Sequence, residues 1–162
     1  KLPKLGRCYK NLAAVFDVQP FRTSLYQSLC LNTEYYDSKV AIQFLKDVYN
    51  VLTENSIIIL YKSKREIGKT LHPKYKKLVK DLNGKNFVYV EPNIGANYVI
   101  NKSNIVISMP FTSTALLGSD QMKPSIYYDP FGDIKRGDSA AHGIPIVIGL
   151  KELRNMINSI KL

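Results

Sequence analysis

Short apolar runs alternate along this chain with stretches of helical periodicity. Six of the runs are rich in β-branched and aromatic residues and predict β-strands, at residues 12–18, 56–61, 87–90, 105–109, 124–130 and 145–149. The stretches between them place apolar residues three or four positions apart, which is typical of amphipathic helices. The pattern therefore predicts strands and helices in alternation along most of the chain.

The clearest helical pattern begins at Ser38, where Asp37 or Ser38 is suited to act as the N-cap. We expect its buried face to consist of Val40, Ala41, Phe44, Leu45, Val48, Val51 and Leu52. A later helix is expected to start at Pro73, because proline suits a first turn, and to end at Gly84. The last helix is expected to bury Leu150, Leu153, Ile157 and Ile160.

Strands that alternate with helices favour right-handed crossovers, which produce a parallel sheet covered on both faces. We therefore predict a Rossmann-like α/β fold, a three-layer α/β/α sandwich with a mainly parallel sheet of about six strands. With 45% hydrophobic and 22% charged residues, the composition is that of a globular protein and excludes a disordered chain. We expect residues 1–162 to form a single domain and, because Lys1 stands in place of Met, to be a fragment of a longer protein.

Most of the net charge of +10 lies in one segment, since residues 62–85 hold nine basic and two acidic side chains. Such a cluster raises the hypothesis of a basic nucleic-acid-binding domain. However, it lacks the interleaved aromatic residues of a single-strand binder and the pattern of a helix-turn-helix or zinc finger. We therefore interpret most of it as the solvated face of a helix. Lys62 and Arg65 directly follow a predicted strand, where a ligand can meet them.

The remaining chemistry-bearing residues predict neither a metal site nor a cofactor. Cys8 and Cys30 have no metal-ligand spacing and cannot form a disulfide framework, so we expect a reduced, cytoplasmic setting. His72 is expected to cap the helix that starts at Pro73, and His142 to lie on the surface. No apolar run has the length of a transmembrane segment. Glycine-rich dinucleotide, Walker and nucleophile-elbow motifs are all absent from the sequence.

Three consecutive hydroxyl residues, Thr112, Ser113 and Thr114, follow the strand predicted at residues 105–109 and precede a short helix. Two interpretations are open from the motif alone. The hydroxyls can simply cap the helix, because serine and threonine oxygens accept its first N–H groups. Alternatively, the same N–H groups and the positive end of the helix dipole form a phosphate site.

The predicted sheet favours the phosphate site, because it gathers further residues at one edge. Ligands of open parallel sheets bind beyond the carboxyl ends of the strands. The residues that follow predicted strands, and are therefore candidates for binding a phosphorylated ligand, are Gln19, Arg22, Lys62, Arg65, Glu91, Asn93, Thr112, Ser113, Thr114 and Asp129. Together they supply positive charge, hydroxyls and helix starts.

Several of these segments resemble a known family. The Glu-Pro-Asn sequence from Glu91, the segment Lys-Ser-Asn-Ile-Val-Ile-Ser-Met-Pro-Phe-Thr-Ser-Thr from Lys102, and Lys-Pro-Ser-Ile-Tyr-Tyr-Asp-Pro from Lys123 resemble the nucleotide-sugar-binding, C-terminal half of a GT-B glycosyltransferase. This resemblance covers about residues 87–153, with weaker support from residues 12–64. More narrowly, the sequence Pro-Phe-Thr-Ser from Pro110 resembles the signature of bacterial polysaccharide-biosynthesis proteins named after that motif.

The resemblance implies a role for each loop. The loop from Glu91 to Ile94 would hold the nucleobase, the Ser/Thr turn would meet the diphosphate, and Lys62 and Arg65 would neutralise it. Two features depart from the GT-B pattern. The sequence has no clear Glu-x7-Glu. In addition, the position where GT-B enzymes often have an acidic residue that contacts the ribose is occupied here by a Leu-Gly-Ser-Asp segment ending at Asp120. The resemblance also implies a cytoplasmic protein, or one peripheral to the inner membrane.

We therefore predict a nucleotide-sugar-binding domain of a glycosyltransferase that builds surface polysaccharide. The N-terminal, acceptor-binding half of a GT-B enzyme does not fit within 162 residues, so the fragment alone should bind the donor but transfer little. Two alternatives stay open. The chain can be a non-catalytic binding or regulatory module with a degenerate site, or a basic nucleic-acid-binding domain, although nucleic acid is not the expected partner.

Overall fold

The six apolar runs form the strands of one sheet. The computed structural model describes residues 11–28, 30, 36–64, 68–84 and 86–160. The strands are β1 (Leu12–Phe16), β2 (Ile58–Lys62), β3 (Phe87–Val90), β4 (Ile105–Ser108), β5 (Ser125–Asp129) and β6 (Ile146–Ile148). All neighbours pair in parallel, in the order β3-β2-β1-β4-β5-β6. The prediction of a Rossmann-like α/β sandwich is confirmed.

Helices form between these strands and after the last one. They are α1 (Thr23–Ser28), α2 (Ser38–Glu54), α3 (Pro73–Leu82), α4 (Ala96–Lys102), α5 (Ser113–Asp120) and α6 (Gly149–Ser159). The expected helix from Pro73 ends at Leu82, two residues before Gly84, and Leu150, which the pattern predicts to be buried, is exposed. Asp37 caps α2, because its carboxylate accepts a 2.8 Å hydrogen bond from the Val40 N–H. His72 occupies the N-cap position of α3, but the prediction that it caps the helix is wrong: its Nδ1 has no partner among the described residues. His142 is exposed, as predicted.

Helices cover both faces of the sheet. On one face, α2 packs with α3 and α6, and the core under them includes Phe44, Leu45 and Leu52, all at most 1% exposed. On the other face, α4 and α5 pack together over a second core that contains Val99 and Ile100. The sequences of the strands are nearly continuous apolar runs because helices cover both faces of the sheet. Among the described residues, no helix combines the length and the apolar character that crossing a membrane requires.

The first strand ends two residues earlier than its apolar run predicts. Its ladder with β2 extends only to the pair Val15 and Tyr61. Beyond Phe16 the chain leaves the sheet, and the Val18 N–H lies 3.2 Å from the Met109 sulfur. Asp17, which the apolar pattern places inside a strand, is therefore the first residue beyond the carboxyl end of β1.

One glycine determines how closely α5 approaches the sheet. A Cβ atom on Gly118 would lie 2.4 Å from Ser125 Oγ and 2.7 Å from Val106 Cγ2. The Ser125 hydroxyl can rotate away, but Val106 Cβ, 3.0 Å from the added atom, cannot move without shifting β4. Gly118 therefore allows α5 to pack directly on β4 and β5.

We expect Gly118→Ala to lower the free energy of unfolding by about 1–3 kcal/mol, because overpacking outweighs the higher helix propensity of alanine. Urea denaturation measures the change. The matched control is Ser119→Ala in the same helix, where the side chain is exposed and the substitution should leave stability unchanged or slightly higher. Equal stability of the two variants would contradict the packing argument.

Candidate functional site

A cleft opens at the carboxyl edge of the sheet, where the strand order reverses. β1 pairs with β2 on one side and with β4 on the other. β3 lies beyond β2, and β5 and β6 lie beyond β4. Ligands of open parallel sheets bind at such reversal points. The cleft has a volume of about 560 Å³. It is lined by Phe16, Asp17, Val18, Tyr36, Lys62, Ser63, Lys64, Ala96, Phe111, Thr112, Ser113 and Thr114.

The hydroxyl turn forms one wall of the cleft. Thr112 stands at the N-cap position of α5, but its hydroxyl donates to the Met109 carbonyl at 2.8 Å and, within the described residues, caps no N–H of the helix. Thr114 Oγ1 lies 2.9 Å from Ser108 Oγ and 3.2 Å from Thr112 Oγ1. The interpretation of these hydroxyls as helix caps is therefore wrong, since they brace the turn instead. Ser113, the first residue of α5, is exposed.

The residue before the hydroxyls has an unusual backbone. Phe111 has a φ of 61°, a left-handed conformation that is uncommon for a bulky residue. Pro110 before it matches the second position of a type II turn, which requires positive φ at the third. The Phe111 ring lies 6.2 Å from the Tyr127 ring. The carbonyls on either side of Phe111 each accept a hydrogen bond of 2.9 Å from a tyrosine hydroxyl. Tyr36 donates to the Pro110 carbonyl, and Tyr127 donates to the Thr112 carbonyl. These contacts hold the turn in its strained form.

Lys62 is a buried cation in the opposite wall, and only 7% of it is exposed. Its ammonium donates to the Ser63 carbonyl at 2.6 Å and to the Pro92 carbonyl at 3.1 Å. Burial lowers the pKa of Lys62 from its ordinary value. An ammonium group has three donors, and its contacts within the described residues use two of them, which leaves one for a ligand. The cleft therefore brings Lys62 together with Thr112, Ser113 and Thr114, as the sequence predicts.

The other predicted site residues do not line the cleft as far as the structure describes the chain. Arg22 lines a separate cavity of about 290 Å³ with Lys69. Glu91 and Asn93 are exposed beyond β3, and Ile94 packs on the core under α4. Gln19 is half-buried.

The two remaining predicted site residues are Asp129 and Arg65. Asp129 is fully buried, and its carboxylate accepts the Phe131 N–H at 3.2 Å and the Ile134 N–H at 2.8 Å, so it organises the loop after β5. Arg65 lies outside the described residues, as does Cys8.

The sequence interpretation missed a buried cluster that reaches the cleft through Asp17. The Tyr61 hydroxyl donates to Asp17 Oδ1 at 2.9 Å, and the Tyr75 hydroxyl donates to Asp17 Oδ2 at 2.5 Å. The two tyrosine hydroxyls also contact each other. All three side chains are buried. The only signal in the sequence is an aspartate at the end of an apolar run, because both tyrosines look like ordinary core residues.

Burial raises the pKa of Asp17 to about 6, although hydrogen bonds from Tyr75, Tyr61 and the backbone act to lower it. Burial also raises the pKa of both tyrosines well above the ordinary value. Since the pKa of Asp17 in the folded state exceeds its ordinary value of 3.8, the folded state binds this proton more tightly than the unfolded state does. The stability that the neutral carboxyl contributes is complete below about pH 4 and is lost as pH rises through about 6.

We expect Asp17→Asn to remove this pH dependence, because asparagine is nearly isosteric and carries no charge. Between pH 5 and pH 8, the free energy of unfolding of the wild type should fall by roughly 1–2 kcal/mol relative to the variant. Urea denaturation at several pH values measures the difference. The control is Asp133→Asn, which changes an exposed carboxylate. A difference in the free energy of unfolding between wild type and Asp17→Asn that stays constant with pH would contradict the prediction.

Comparison with known proteins identifies a family. A family model described as "Polysaccharide biosynthesis PFTS motif protein" matches residues 5–157, which is nearly the whole chain. No curated protein matches the sequence. The family match confirms the narrower resemblance, which rests on the motif from Pro110 to Ser113.

Proposed function

The chain belongs to the family of polysaccharide biosynthesis PFTS motif proteins, and from that membership we propose that its cleft binds the diphosphate of a nucleotide sugar. In this proposal the chain is the donor-binding part of a glycosyltransferase. The observation that carries the proposal is the meeting, in one cleft, of a helix start without a side-chain cap, three hydroxyls and a buried lysine.

The walls of the cleft suit an anion. The first N–H groups of a helix attract negative charge, through hydrogen bonding and through the helix dipole. Ser113 adds an exposed hydroxyl at this helix start, and Lys62 and Lys64 add positive charge from the other wall. A diphosphate carries charge at both of its phosphoryl groups, so it can use both walls at once.

The rest of the lining suits the remainder of such a ligand. Phe16, Val18, Ala96 and Phe111 present apolar surface to the cleft. A volume of about 560 Å³ lies within the range of small-molecule sites, roughly 300–1,000 Å³. Apolar walls with a few convergent polar groups are the usual composition of such sites.

The mechanism that follows is electrostatic. As the sugar leaves the diphosphate, negative charge develops on the departing oxygen. Donors that are already oriented toward the diphosphate stabilise this charge without having to reorganise. The helix N–H groups, the Ser113 hydroxyl and the Lys62 ammonium would have this role. An acceptor site, supplied outside these residues, would complete the transfer.

We expect the protein to gain thermal stability with millimolar UDP, GDP or CDP and with their sugar derivatives. Lys62→Met should weaken binding about tenfold, because it removes a charged hydrogen bond. The combination of Lys62→Met with Ser113→Ala should abolish the response. Thermal shift gives the screen, and calorimetry measures the affinity of the best ligand.

The matched control is Lys80→Met, which removes the same charge from the exposed surface of α3 and should leave affinity unchanged. If Lys62→Met and Lys80→Met weakened nucleotide binding equally, the affinity would depend only on the net charge of the protein and not on the position of Lys62. The absence of a response to any nucleotide would overturn the proposal and favour a degenerate module. Salt-sensitive binding of oligonucleotides would favour the nucleic-acid alternative.

A further inference from the structure

Asp17, Tyr61 and Tyr75 form a closed ring of hydrogen-bonding oxygens that reaches the cleft through Asp17, while both tyrosines are fully buried. Each tyrosine hydroxyl contacts a different oxygen of the carboxyl group, and the two hydroxyls contact each other. The ring therefore contains three oxygen–oxygen contacts. We refer to these three side chains as the oxygen ring.

Counting hydrogens distinguishes two states of the oxygen ring. A phenol has one hydrogen to donate, and an ionised carboxylate has none. With Asp17 ionised, both tyrosine hydrogens point at the carboxylate, and the contact between the tyrosine oxygens has no hydrogen. With Asp17 neutral, its proton points at Tyr75, Tyr75 donates to Tyr61, and Tyr61 donates back to Asp17. Every contact then has one hydrogen, so the geometry fits a ring that holds one additional proton.

The position of the oxygen ring gives this proton a consequence for binding. Asp17 lines the same cleft as Lys62 and the hydroxyl turn, where we have proposed that a diphosphate binds. Among the described residues, Asp17 forms no ion pair that would offset its charge. An ionised Asp17 would therefore repel the ligand, whereas a neutral one would not.

We propose that the cleft takes up one proton at the oxygen ring when a diphosphate ligand enters, so that proton and ligand bind cooperatively. This inference rests on the proposed function. By linkage, a ligand that favours the protonated ring binds more tightly where the ring is already protonated. Affinity should be highest below about pH 6 and should decrease as pH rises toward 8, because the pKa of Asp17 in the free protein is about 6.

Other titratable groups face the oxygen ring or its cleft, and they must be separated from Asp17. They are Lys62 on β2, Tyr89 on β3, Lys64 after β2, and Tyr36 before α2. His72 lies one turn before Tyr75 in the chain. Asp17→Asn makes the separation, because it leaves all these groups in place. Its amide can donate one N–H to Tyr75 and accept from Tyr61, as the neutral carboxyl does, and it carries one further N–H that the carboxyl lacks.

The test measures binding of UDP-glucose and GDP-mannose to the full chain by calorimetry between pH 5.5 and pH 8. The phosphates of these probes are diesters, so they do not titrate in this range. The wild type should lose on the order of tenfold in affinity across the range, which corresponds to a shift of one unit in the pKa of the ring. Buffers with different ionisation enthalpies should reveal net proton uptake near pH 7.

Asp17→Asn should bind with an affinity that does not change with pH and with no proton uptake assigned to the ring. At pH 8 it should bind more tightly than the wild type. The same pH dependence in both proteins would overturn the proposal while leaving nucleotide-sugar binding intact. Proton release by the wild type would also overturn it.

A second measurement distinguishes failure of this inference from failure of the proposed function. The carbon-13 NMR signal of the Asp17 carboxyl, assigned by comparison with Asp17→Asn, reports its titration in the free protein. If no nucleotide or nucleotide sugar of the panel binds, the proposed function fails, and a midpoint near 6 or higher still supports a protonated ring. A midpoint near 4 would overturn the ring itself, whether or not a nucleotide sugar binds.

Discussion

The parallel pairing of β1 with β4 is the constraint on which the whole site depends. It aligns Phe16 with Ser108, so the segments that follow β1 and β4 leave the sheet side by side. The Met109 N–H donates to the Phe16 carbonyl at 3.0 Å. The pairing of β1 with β2 on the other side carries Lys62 to the same edge. The cleft thus exists because three strand ends stop at one level while the connections after them diverge.

Periodicity predicts the strands and helices because it is a local property of the sequence. The same reasoning places Lys62 and the hydroxyl turn at one edge, since parallel strands align their carboxyl ends. It fails for Asp17, which depends on contacts to residues 44 and 58 positions away in the chain. It also cannot distinguish Lys62, which lines the cleft, from Asp129, whose carboxylate is satisfied by its own loop. Both end a strand, but β2 pairs directly with β1, whereas β4 lies between β1 and β5.

The motif residues each have a physical task. Pro110 limits the backbone at the start of the turn, and Phe111 holds a left-handed conformation through its ring contact with Tyr127. Thr112 closes the turn through its hydroxyl, and Ser113 begins α5 at the cleft. The four residues act together as a rigid connection between β4 and the helix, and this rigidity fixes the direction in which α5 points its first N–H groups.

The contacts of Lys62 have a consequence for the entropy of ligand capture. A free lysine side chain loses up to about 2 kcal/mol of rotamer freedom when it becomes ordered. In this protein the Ser63 and Pro92 carbonyls already hold the ammonium. The ordering cost therefore falls on folding, and an incoming anion meets a cation whose position is already set. Preorganisation of this kind allows a small number of contacts to give a useful affinity.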